Sequence, residues 1–147
     1  MKILIAIDPD CDKSGVALKV KSSGKINVDV MTFFELFEYL FLELKPNILN
    51  DYFVYIEAGW LNHKSNYHKY ANQSKEVGEM IAKKVGANHE TGRKIAEMCE
   101  FLKLPYELVK PASKKVTPAY FKLLTGIECK GKYKQEMIDA GMLLVGR

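Results

Sequence analysis

Cysteine is scarce in the 147-residue chain: Cys11, Cys99 and Cys129 are odd in number and far apart. They offer no disulfide framework and no pair at zinc-ligand spacing, so reduced thiols in a cytoplasmic setting are expected. His63 and His68 likewise lack partner ligands at useful spacing for zinc. No apolar stretch reaches the ~20 residues that cross a bilayer, which predicts no membrane association. The N-terminal apolar run is cut off by Asp8-Pro9, too early for a signal peptide. Repeats, linkers and low-complexity tracts are missing too, so residues 1–147 are expected to form a single domain.

What is present is ordinary for a globular chain, with 48% hydrophobic and 27% charged residues. The net charge of +4 is unevenly placed. Residues 1–57 carry an acidic excess, whereas residues 101–135 hold eight lysines against Glu107 and Glu128. A basic half of this kind suits an anionic partner, although any one lysine is as readily explained as solvated surface.

The stretch "DPDCDKSG" (8–15) sets three aspartates at alternate positions, as an EF-hand calcium loop does. That loop needs glycine at its sixth position and a bidentate glutamate at its twelfth. Counted from Asp8, those positions are Lys13 and Lys19, and a lysine repels the ion. The preceding "KILIAI" is moreover a strand pattern and not a helix. Calcium is rejected. Asp8 ends a buried strand, while Asp10 and Asp12 read as turn residues.

Hydrophobic periodicity predicts strands over 2–8, 14–20 and 25–31, joined by turns short enough for hairpins. A helix follows with Thr32 as cap, Glu35 completing a capping box, and Pro46 as its stop. "YFVYIEAG" (52–59) is apolar on both faces and reads as a central strand. The polar stretch 60–75 reads as a loop or partly helical excursion. Further helices are expected at about 88–103, at 117–126 (Thr117 cap, Pro118, Gly126) and at about 132–145, with a short strand over 106–111. This order predicts an α/β fold, a mixed five-stranded sheet with helices on both faces.

In such a sheet the first and fourth strands can be parallel neighbours. Asp8 and Glu57 would then share the carboxyl end, where open α/β sheets place their sites. A carboxylate after "FVYI" is expected to be buried, and buried carboxylates are rarely left unpaired. Glu136 and Asp139, three apart, share one helical face. Glu136 alone is explained by the early part of a helix and Asp139 alone by the surface, whereas Glu57, and next Asp8, is hardest to explain so plainly. Four converging acids repel one another, and divalent metal relieves that. Two Mg²⁺ or Mn²⁺ ions, roughly 3.5–4 Å apart, support phosphodiester hydrolysis.

With these residues in place, the chain resembles the RuvC-type Holliday-junction resolvases of the ribonuclease H-like superfamily over nearly its whole length. The motifs that carry the resemblance are "IAIDPDCDKSGVAL", "VYIEAGW", "YELVKPASKKV" and "KQEMIDAGMLL". The resemblance implies a ribonuclease H-like fold and a homodimeric two-metal endonuclease for branched DNA. Asp8, Glu57, Glu136 and Asp139 would be both catalytic acids and metal ligands. Trp60 would stack on unpaired bases, and Lys110, Lys114 and Lys115 would meet phosphate. A tryptophan packed at the edge of the core is the competing account of Trp60. The chain departs from the family pattern at Glu136, where Asp is usual, and at Asp10, where glycine is usual. A nuclease acting on RNA or RNA–DNA hybrid, and a non-catalytic nucleic-acid-binding module, remain as alternatives. A phosphotransferase of the actin-like kinase group would need two domains and glycine-rich phosphate loops, for which the length leaves no room.

Overall fold

A computed structural model describes residues 1–44, 50–62 and 74–147. Five strands form one sheet: β1 (Lys2–Asp8), β2 (Ser14–Val20), β3 (Ile26–Met31), β4 (Asp51–Glu57) and β5 (Tyr106–Val109). Their order across the sheet is β3-β2-β1-β4-β5. The first three are antiparallel, whereas β4 pairs parallel with both β1 and β5. This is the mixed sheet that the sequence predicts, with β1 at its centre.

Alternation along β1 explains why both faces are covered, since successive side chains point to opposite sides. Ile3, Ile5 and Ile7 pack into one core with Leu36, Leu40, Ile95, Cys99 and Leu102. Leu4 and Ala6 pack into a second core with Ala17, Ala140, Leu143 and Leu144. The first core lies under α1 (Phe33–Glu38), its wider π-helical continuation (Tyr39–Leu44) and α2 (Lys75–Leu102). The second lies under α4 (Lys134–Met142), which also packs on α3 (Pro118–Thr125).

The caps follow the sequence reading. Thr32 Oγ1 accepts from Glu35 N–H at 3.2 Å, and Glu35 Oε2 accepts from Thr32 N–H at 3.4 Å. Thr117 caps α3 and Gly126 ends it in the left-handed conformation at φ 76°. Several boundaries differ, among them β4, which ends at Glu57, and β5, which ends at Val109. The first helix tightly wound as α stops at Glu38, and Pro46 lies outside the described residues. The last helix ends at Met142, and turns carry the chain to its end.

The largest difference is α2, which starts at Lys75 and not near residue 88. Its first half has no buried stripe: Val77, Met80 and Ile81 are exposed, and only Gly78 is buried before Gly92. Periodicity therefore carried no signal there, although Ser74 caps the helix by accepting from Val77 N–H. Of the polar stretch, residues 60–62 belong to a short 3₁₀ turn (Gly59–Leu61) and the residue after it. Residues 63–73, with His63 and His68, lie outside the described residues. Among the described residues no helix is long and apolar enough to cross a membrane.

Candidate metal centre at the carboxyl end of the sheet

Strand register brings the first two acids together. Ile7 pairs with Ile56, so Asp8 and Glu57 follow side by side at the carboxyl ends of β1 and β4. Asp139 reaches them from α4, and this requires the helix to lie very close to the sheet. Gly15 on β2, opposite Asp8, provides the space. A Cβ there would collide with the backbone carbonyl of Glu136 in the first turn of α4. The missing side chain of Gly15 thus lets α4 lie close against β2. One carboxylate oxygen from each of Asp8, Glu57 and Asp139 lies within 4.8 Å of the others.

The electrostatics follow from that convergence. Burial pushes the Asp8 carboxyl well above its ordinary value, and the charges of Glu57, Asp139 and Glu136 push the same way against Lys115. Burial also raises Glu57; Lys115 opposes that shift and Asp139 adds to it. Three carboxylates brought this close, two of them with raised pKa values, have the chemistry of an incomplete ligand set. Hard oxygen donors of this kind fit Mg²⁺ or Mn²⁺.

Asp139 is buried, and both of its oxygens are engaged. Oδ1 accepts from Gln135 Nε2 at 2.8 Å, one turn back on α4, and Oδ2 accepts from Lys115 Nζ. Desolvation alone would lower the Lys115 ammonium; the hydrogen bond and charge of Asp139, with Glu57 and Asp8, outweigh it and raise its pKa. Lys115 lies in the loop between β5 and α3. That loop leaves the sheet beside Glu57, because Val109 pairs with Glu57 and its carbonyl accepts from Ala58 N–H at 2.8 Å.

The acids lie in an open cleft of about 620 Å³. Glu136 lines it but stands outside the tight group of three. Lys110 and Lys114 are exposed and do not line it. Trp60 forms part of the wall from the 3₁₀ turn after β4. It is half-buried, because Gly92 of α2 leaves room for its ring, and the Arg93 guanidinium lies 5.4 Å from the ring centre. This packing against α2 is what the core-edge account of Trp60 expects, and the residue also lines the cleft.

Asp10 and Asp12 are turn residues, as expected, and they tie the turn to its surroundings. Asp10 Oδ1 accepts from Asp12 N–H at 2.8 Å, and Asp10 Oδ2 accepts from Asn88 Nδ2 at 3.2 Å. Asn88 Oδ1 in return accepts from Cys11 N–H at 2.9 Å. On the other side, Asp12 Oδ2 accepts from Tyr133 Oη and lies 3.5 Å from Lys132 Nζ, at the start of α4. The turn after Asp8 is therefore pinned to α2 and to α4. Sequence reasoning did not find Asn88, Gln135 or Tyr133. Only Gln135 left a signal, its four-residue spacing from Asp139.

No protein-family model matches the chain, and no curated protein sequence does. Among solved structures it is similar to "T. thermophilus RuvC in complex with Holliday junction substrate", with a TM-score of 0.50 and 10% identity over 97% of this chain and 91% of that one. The chain thus has the ribonuclease H-like fold, a mixed five-stranded sheet with helices on both faces, and shares it with RuvC.

Proposed function

We propose that this chain is a metal-dependent endodeoxyribonuclease that cuts four-way DNA junctions. The observation that carries the reading is the meeting of Asp8, Glu57 and Asp139 at the carboxyl end of β1 and β4. The similar solved structure is that of a protein bound to a Holliday junction, and this chain's fold matches it along almost its full length.

In this reading Asp8, Glu57 and Asp139 hold divalent cations, with Glu136 completing the shell from the first turn of α4. Mg²⁺ or Mn²⁺ held there supplies an activated water and stabilises the departing oxygen of the phosphodiester. The protein's own part is to place the phosphate and offset its charge. Lys115 stands at the acids and meets the scissile phosphate, where its charge offsets that which develops in the transition state. Lys110 and Lys114 meet neighbouring phosphates. The open face of Trp60 stacks on an unpaired base at the branch. A four-way junction has two-fold symmetry, so two copies of the chain act on it together, one per cut strand.

The test incubates the protein with a labelled four-way junction, a matched duplex and an RNA–DNA hybrid, in Mg²⁺ and in Mn²⁺. Paired symmetric nicks in the junction alone are expected, with Asp8→Asn losing cleavage and keeping binding. Cutting of the hybrid instead would move the substrate to RNA, and Asp8→Asn that still cuts would remove the metal assignment. Trp60→Ala is expected to weaken junction binding roughly ten-fold while sparing Mn²⁺ affinity.

A further inference from the structure

Lys115 has a geometry that phosphate contact alone does not require. Its ammonium is hydrogen-bonded to Asp139 Oδ2 inside the acidic group, while Gln135 occupies Oδ1. Both oxygens of Asp139 therefore already accept a hydrogen bond. Gln135 belongs to the same helix as Asp139 and is fixed by it, but Lys115 reaches in from a loop. Its side chain is 61% exposed against 9% for Asp139, so the ammonium can withdraw without any repacking of the core.

We propose that Lys115 is a built-in placeholder cation: it neutralises the Asp8–Glu57–Asp139 group before divalent metal arrives and must give up Asp139 for metal to bind. This rests on the proposed metal centre, and it deepens it. The ammonium and a divalent ion compete for one carboxylate, and like charges at such spacing repel. Freed from Asp139, the lysine turns outward into the cleft. Release of the lysine and filling of the site are therefore one event, and the cation that would meet the phosphate becomes available only when the acids are loaded.

Competition has an unusual sign. Loss of a ligand, or of a residue that merely supports the fold, weakens metal binding; loss of a competitor strengthens it. Mn²⁺ titration by calorimetry, without DNA, reads this directly. Lys115→Met, which keeps the stem and removes the charge, is expected to bind Mn²⁺ on the order of ten-fold more tightly than the wild type. In EDTA it should also melt at a lower temperature, because the acids lose their counter-charge. Lys115→Arg keeps the charge and should stay within a few-fold of the wild type. Asp8→Asn should remove the binding heat, which places that heat at this centre.

Wild-type binding that is abolished by Asp8→Asn but unchanged or weakened in Lys115→Met would overturn the placeholder while leaving the metal centre standing. Absence of Mn²⁺ binding in both wild type and Lys115→Met would overturn both. Binding gained only in Lys115→Met would support both.

Discussion

Asp8 is the residue at which the site's electrostatics can be read in solution. Its folded-state pKa lies above that of the unfolded chain, and Glu57 shifts the same way. Between the unfolded and the raised folded value, the folded protein keeps a proton that the unfolded chain has released. The stabilisation is complete below the ordinary carboxylate range and is lost as pH rises through the raised value. In metal-free buffer the melting temperature is therefore expected to fall as pH climbs above that range. Asp8→Asn should flatten the slope and raise the neutral-pH midpoint. Adding Mn²⁺ should reverse the ranking, stabilising the wild type and not the variant. Thermal melts in EDTA and in Mn²⁺ at several pH values decide it, and a metal-free midpoint that rises with pH in the wild type alone would refute the assignment of cause. That Asp8 and Glu57 would meet was legible from the sequence, because each ends an apolar run and parallel pairing aligns such ends. Lys115 as their direct partner was not, since nothing in "KPASKKV" separates its lysines; only the course of the loop does.

At the scale of elements, the decisive contact is α4 against β2 at Gly15. Gly15→Ala puts a methyl group where the Glu136 carbonyl stands, and backbone cannot yield as a flexible side chain does. The helix must move outward, carrying Asp139 with it. A loss of about 1–3 kcal/mol of stability is expected, typical of overpacking, together with weaker Mn²⁺ binding. Denaturant unfolding and Mn²⁺ titration measure the two effects separately. Unchanged values in both would show that α4 does not depend on this contact. The strands were legible because apolar runs, alternation in the third strand and turn residues mark them, and the parallel pairing of β1 with β4 followed from their central character. The helices were less so. Their ends depend on where packing stops, and the exposed first half of α2 is held by a cap and by continuity with its buried second half. The role of Gly15 toward α4 is a matter of tertiary approach, which no local pattern encodes.

At the scale of the whole molecule, the lysine-rich segment becomes a location. Lys110 and Lys114 lie in the loop that leaves β5 beside Glu57, so positive charge flanks the acidic cleft. If they meet phosphates, Lys110→Gln and Lys114→Gln should each weaken binding to all DNA alike and lower the salt slope by about one. Affinities measured across a salt series check this, and an effect confined to junctions would assign them to branch recognition. The proposed centre draws on residues from β1, β4, the loop after β5 and α4, and the last of these must settle on Gly15 before Asp139 is in position. Synthesis runs from β1 toward α4, so a growing chain has the sheet before it has the centre. A ribosome that stalls short of α4 therefore leaves a fragment without the third acid, and under the proposed function no such fragment would cut DNA.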